Sequence, residues 1–136
     1  MKIPKKTKNK KYHRLKRQSV KYSFKKQSLA YGYWGLKSLQ SGRITEKQIE
    51  AVRQSIMKKI RPSGKLWIRI FPDIPITSKP VGVRMGKGKG AVDYWSYSVS
   101  PGEVLYEVSG VSSSVAMAAL KLGSKKLPVR TKIISY

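Results

Sequence analysis

The sequence predicts an α+β fold, an antiparallel sheet packed with two helices behind a basic N-terminal extension, and three observations carry that reading. Two stretches repeat apolar residues at helical spacing: Ile49, Val52, Ile56 and Ile60, then Val115, Ala118, Ala119 and Leu122. Around them run β-branched and aromatic segments punctuated by Gly and Pro, the pattern of strands and turns. The charge is uneven as well. Of 136 residues, 30 are Lys or Arg and 6 are Asp or Glu, giving a net charge of +24, and twelve of the cations precede residue 27.

Residues 1–28 form the basic arm of this division and residues 29–136 a single domain. The arm has few apolar residues and no carboxylate, since the first is Glu46, so it cannot bury itself and is expected to order on a phosphate surface. Tyr12, His13, Tyr22 and Phe24 lie among its cations, a mixture suited to stacking on bases while neutralising phosphates.

The domain opens with an aromatic, glycine-containing stretch over residues 29–40, expected to be a bent or bulged strand. Gly42 turns the chain. Thr45-Glu46-Lys47-Gln48 matches a capping box, so a helix starts there; Lys58, Lys59 and Arg61 suit its C-terminal dipole, and Pro62-Ser63-Gly64 ends it. Lys65–Phe71 alternates Leu66, Ile68 and Ile70 with Trp67, Arg69 and Phe71, a strand with one aliphatic face. Pro72, Pro75 and Pro80 are expected to break the chain beyond it. Residues 92–100 and 103–108, separated by Pro101-Gly102, read as a hairpin. Ser112, Ser113 and Ser114 offer N-caps to the second helix, Pro128 ends it, and residues 129–134 form a last strand. Trp34, Trp67 and Trp95 are expected in or beside the core.

The most informative segment is Val83-Arg84-Met85-Gly86-Lys87-Gly88-Lys89-Gly90. Glycine permits positive φ and lets backbone approach a polyanion, while Arg84, Lys87 and Lys89 supply charge. A P-loop is excluded by spacing: five residues after Gly82 stands Lys87 instead of glycine, and Lys89 is followed by Gly90 instead of Ser or Thr. A dinucleotide fingerprint is excluded because Tyr94-Trp95-Ser96-Tyr97 continues as strand, leaving no helix N-terminus for a pyrophosphate. The six carboxylates Glu46, Glu50, Asp73, Asp93, Glu103 and Glu107 show no spacing that marks catalysis or metal binding, and Glu46 and Glu50 are read as partners of the helix dipole. The single His13 sits among cations and suits phosphate contact better than acid–base work.

Without cysteine, neither a disulfide nor a thiolate metal site can form. No apolar run reaches the length of a membrane span, and the N-terminus lacks the apolar core of a secretory signal. Its lysines, Pro4 and lack of amphipathicity argue against a transit peptide. A polyanionic partner is required, because a net charge of +24 opposes compaction by self-repulsion, and nucleic acid is the default.

The motifs resemble those of large-subunit ribosomal protein sixteen of the bacterial and organellar type, over essentially the full length in one register. They include Pro4-Lys5-Lys6-Thr7, Lys11-Tyr12-His13, Gly42-Arg43-Ile44-Thr45, Gln48-Ile49-Glu50-Ala51 and Lys65-Leu66-Trp67-Ile68-Arg69-Ile70-Phe71-Pro72-Asp73. Further along the chain stand Pro75-Ile76-Thr77, Lys79-Pro80, the Val83–Gly90 loop, Tyr94-Trp95, Pro101-Gly102, Leu105-Tyr106-Glu107 and Lys126-Leu127-Pro128. The resemblance implies a structural constituent of the large subunit, with no enzymatic activity and no cofactor. It implies an arm that binds large-subunit rRNA through Lys2, Lys5, Lys6, Lys8, Lys10, Lys11, Tyr12, His13, Arg14, Lys16 and Arg17. The loop residues Arg84, Met85, Gly86, Lys87, Gly88, Lys89 and Gly90 are implied to lie near tRNA at the aminoacyl site, close to the peptidyl-transferase region. Further implied partners are neighbouring ribosomal proteins and, where the ribosome has one, 5S rRNA, with a role in late subunit assembly and no membrane. Lys-, Ile-, Ser- and Tyr-heavy usage points to an AT-rich genome, which favours the mitochondrial matrix over bacterial cytoplasm or plastid stroma. Two departures from the family pattern stand out. In the second helix Ser113 and Ser114 replace acidic residues and Gly123 interrupts the alanine-rich run, so its last turn is expected to be weak, and the arm between Arg14 and Leu29 fits the family pattern only loosely.

Overall fold

A computed structural model describes residues 3–9, 11–13 and 26–136. The elements run in the order β1 (Trp34–Ser38), β2 (Gly42–Thr45), α1 (Glu46–Ile60), β3 (Lys65–Ile68), β4 (Ile74–Ser78), β5 (Ala91–Val99), β6 (Val104–Ser109), α2 (Ser113–Ser124) and β7 (Thr131–Ser135). The α+β class is as the sequence predicts, but the strands form two antiparallel sheets instead of one. The first has the order β3-β6-β1-β7 and the second β2-β5-β4.

The division into two sheets overturns the expected hairpin. β5 pairs with β2 and β4, whereas β6 pairs with β1 and β3. Pro101-Gly102 carries the chain from one sheet to the other. The corner docks on β1: Gly102 N–H donates to Ser38 O at 2.8 Å, and Ser38 N–H donates to Glu103 O at 2.8 Å. A Pro-Gly turn fixes the reversal locally, but the neighbouring strands decide which sheet each arm of it joins, and that is a long-range fact.

α1 forms where its capping box places it. Gln48 N–H donates to the Thr45 hydroxyl at 3.3 Å and Thr45 N–H to the Gln48 side chain at 2.9 Å, so two orphan donors are satisfied. Its stripe of Ile49, Val52, Ile56 and Ile60 is buried, with Leu36, Ile44, Val99, Leu105, Tyr106 and Val108 in the same core. Tyr106 donates its hydroxyl to Ile49 O at 3.2 Å, and burial pushes that phenol well above its ordinary pKa.

α2 turns a different face inward from the one expected. Ala116, Ala119, Leu120 and Gly123 are buried, whereas Val115, Ala118 and Leu122 lie at the surface. Bulk is the misleading signal in this helix: it sits close to α1, and close approach selects small residues over branched ones. Gly123 therefore does not interrupt the helix, which runs through it to Ser124.

The bulge expected in the first strand lies between Leu36 and Lys37, where the register to β6 shifts. β3 ends at Ile68, short of the expected Phe71, although Arg69 N–H still donates to Leu105 O at 3.0 Å. Pro75 does not break a strand; it lies within β4, an edge strand, where a missing N–H is tolerated. The three tryptophans are half-buried, as expected.

Candidate nucleic-acid interface

Residues 79–90 leave the second sheet at Ser78 and return at Ala91, which pair with each other across β4 and β5. The excursion therefore has a fixed base and a free tip. Val83 N–H donates to Pro80 O at 3.3 Å, and Lys79 Nζ reaches across to Gly86 O at 2.6 Å, closing the loop with a lysine. Beyond that staple the backbone takes positive φ three times in succession, 106° at Gly86, 51° at Lys87 and 87° at Gly88. Glycine accepts this without steric cost, whereas Lys87 is an L-residue held in the left-handed region. No other atom lies within 4 Å of where a Cβ would stand on Gly86 or Gly88, so the strand-free tip faces open space.

Arg84, Met85, Gly86, Lys87, Gly88 and Lys89 are all exposed. Among the described residues neither Arg84 nor Lys87 has an ion-pair partner, so their donors remain available to an external anion. The loop encloses a shallow concavity of about 600 Å³ lined by Lys79, Pro80 and residues 83–90. A cluster of exposed cations on a glycine-shaped backbone can bind phosphate, and among the described residues no group of three His, Asp or Glu side chains could hold a metal.

The N-terminal segment meets this loop. Lys11 Nζ donates to Lys89 O at 2.9 Å, and Lys89 Nζ donates in return to Tyr12 O. Lys11, Tyr12 and His13 thus stand beside the loop, and Lys5, Lys6 and Lys8 are exposed further along the chain. Lys2, Lys10, Arg14, Lys16 and Arg17 lie outside the described residues.

Two buried carboxylates secure the chain where it joins the domain, and sequence spacing alone marks neither. Glu107 on β6 accepts from the backbone N–H groups of Ala30 at 3.1 Å, Tyr31 at 2.7 Å and Gly32 at 2.9 Å, and pairs with Arg69 at 2.5 Å. Burial alone would raise its pKa, but the three amides and the guanidinium outweigh burial and hold it below the ordinary value. Arg69 also donates to Ser28 O at 2.8 Å and lies over the Tyr31 ring. Glu103 accepts from the Tyr97 hydroxyl at 2.5 Å and pairs with Lys26 at 3.0 Å. The signal that could have found them is scarcity: with only six carboxylates against thirty cations, two in one apolar strand region need a specific partner. Glu50, expected to serve the helix dipole, instead pairs with Arg53 at 2.6 Å.

Residues 4–134 match the family described as ribosomal protein L16p/L10e. The protein called large ribosomal subunit protein uL16 of Psychrobacter arcticus is 50% identical over 131 residues, covering 96% of this chain and 94% of its own. Proteins of the same description from Caulobacter vibrioides and Cereibacter sphaeroides are 51% and 52% identical over 107 and 106 residues, or 79% and 78% of this chain and 75% and 77% of theirs. With half of the residues shared in one register across almost the whole α+β domain, this chain belongs to the ribosomal protein L16p/L10e family.

Proposed function

We propose that this chain acts in the large ribosomal subunit as a structural constituent whose Arg84–Gly90 loop faces tRNA at the aminoacyl site. Family membership makes it a ribosomal protein with rRNA and other ribosomal proteins as partners and with no catalytic chemistry of its own. The observation that carries the finer reading is the loop tip, where three consecutive positive-φ residues project cations that no neighbouring carboxylate engages among the described residues. A loop laid flat on its own domain would present neither. The arm residues supply rRNA backbone neutralisation, and docking of the arm and loop together suits a protein that joins late, once its RNA surfaces exist.

The ribosome is placed in the mitochondrion on residue usage, with bacterial cytoplasm and plastid stroma as the alternatives; the bacterial relatives do not carry that step. Co-sedimentation with one class of ribosome decides it. The tRNA reading is tested with ribosomes carrying Lys87→Ala and Lys89→Ala at equal occupancy, in which aminoacyl-tRNA accommodation or peptide-bond formation slows. Wild-type rates would leave the loop as an rRNA anchor.

A further inference from the structure

The outer face of the second sheet carries a groove that neither the arm nor the loop explains by itself. Along β5, Tyr94, Ser96 and Ser98 alternate onto one face. The register sets Ile76 opposite Tyr94, Ile74 opposite Ser96 and Arg43 opposite Ser98, so these side chains share that face. The opposite face carries Ile44 and Val99 into the core. Over the outer face lie Tyr12 and His13, held there by the reciprocal bonds between Lys11, Lys89 and the Tyr12 carbonyl. The enclosed space is about 670 Å³, within the roughly 300–1,000 Å³ of small-ligand sites.

Its lining sorts into three chemistries. Ile74 and Ile76 form an apolar floor, Tyr12 and Tyr94 supply two aromatic rings, and His13, Arg43 and Lys89 supply donors or charge. No carboxylate lines it. A protein segment of ordinary composition would find no acceptor for its own cations there, and a lipid chain would meet a polar rim. An unpaired nucleotide meets every requirement: its base has two faces for stacking, its edge takes hydrogen bonds, and its phosphate takes charge.

We propose that this groove, bounded by Tyr12 and Tyr94 with Arg43 and Lys89 at its rim, binds a single unstacked RNA nucleotide. The inference rests on the reading of this chain as an RNA-bound ribosomal protein and adds a base-stacking site to contacts otherwise made to phosphate. It gives the Lys11–Lys89 latch a purpose, since the latch closes the groove only when arm and loop are both in place.

The full chain is titrated with a hairpin RNA bearing 2-aminopurine in an unpaired loop and, separately, with the same stem as a blunt duplex. Stacking quenches the 2-aminopurine in the wild type and in Tyr94→Phe. Tyr94→Leu abolishes the quench and weakens the looped RNA about tenfold, within the range for loss of one base–aromatic stack, while duplex affinity stays within about twofold. Equal losses for loop and duplex, or an unquenched wild type, would overturn the proposal. In intact large subunits, ultraviolet cross-linking leaves a nucleotide adduct on Tyr12, His13 or Tyr94. A peptide of a neighbouring protein cross-linked there, or a bare groove beside adducts elsewhere on the chain, would overturn it as well. Lys87 lies outside the groove lining, so tRNA rates of ribosomes carrying Lys87→Ala alone are read independently, and failure of the groove and failure of the loop assignment are distinct results.

Discussion

Gly123 of α2 sits against Ile56 of α1 so closely that a Cβ added to it would stand 2.9 Å from Ile56 Cγ1, 3.0 Å from its Cδ1 and 3.3 Å from Val52 Cγ1. Two opposing terms act on Gly123→Ala. Helix propensity favours alanine by about 1 kcal/mol, and overpacking a tight contact costs about 1–3 kcal/mol. Because the obstructing atoms belong to buried β-branched residues with little freedom to move aside, the packing term wins, and Gly123→Ala lowers stability by about 1 kcal/mol. Ile56→Ala alone costs about 2–5 kcal/mol through its cavity. In the double variant the new methyl faces vacated space, so the alanine at 123 turns neutral or favourable, and denaturant melts of the four proteins report that coupling. Additive effects would show that the helices adjust instead of interlocking.

The same contact explains why the sequence predicted α1 so closely and α2 poorly. α1 presents four large aliphatic residues on one side and charge on the other, so composition and burial agree. α2 is apolar nearly all round, and its packing is decided by which side must be thin. That is a property of its neighbour. The exchange of strands between two sheets at Pro101-Gly102 was hidden for the same reason, because pairing across Ser38 and Glu103 joins distant residues. The loop was legible because its glycines and cations act locally. The groove was not, because Tyr12, Arg43, Ile76 and Tyr94 come from four separate segments, and only register brings them to one face.

The Glu107–Arg69 pair gives a pH dependence with a defined sign. The folded pKa of Glu107 lies below its ordinary value, so its contribution is fully present above the ordinary carboxylate range and is lost as pH falls through the depressed folded value. Glu107→Gln removes one member of an ion pair whose carboxylate is fully buried and leaves Arg69 and three amides with a poorer acceptor, a cost of roughly 3 kcal/mol at neutral pH. The variant also loses less stability between neutral and acid pH than the wild type. Parallel stability–pH curves for the two proteins would show that Glu107 is not the group responsible.

Removal of residues 1–26 tests the division into arm and domain. Among the described residues the buried core cluster begins at Leu36, so the truncated chain should keep a cooperative melt, with a small loss from the missing Lys26–Glu103 pair. Each phosphate contact contributes about 0.7–0.9 to the slope of log affinity against log salt, and removing twelve cations should flatten that slope by several units. An unchanged slope would show that the domain alone supplies the electrostatic affinity.

The loop separates charge from backbone geometry in a way that one residue can test. Lys87 combines both, since it carries a cation and holds φ at 51°. Asparagine enters the left-handed region more readily than most residues, so Lys87→Asn removes charge while keeping the conformation. Gly88→Val does the reverse: it retains every cation but places a β-branched residue at φ 87°, a strain of about 1–3 kcal/mol. Nothing lies within 4 Å of the new Cβ, so the free protein relieves that strain by rearranging the tip, and its melting temperature should move by only a few degrees. On the ribosome the rearranged tip is in the wrong place. Gly88→Val ribosomes should therefore accommodate tRNA slowly although the protein is folded and fully charged, whereas Lys87→Asn ribosomes should show a milder defect that shrinks as salt rises and screens the wild-type contact. Normal accommodation by Gly88→Val at full occupancy would show that charge alone matters, and the positive-φ backbone would then have no part in the proposed contact of the loop with tRNA.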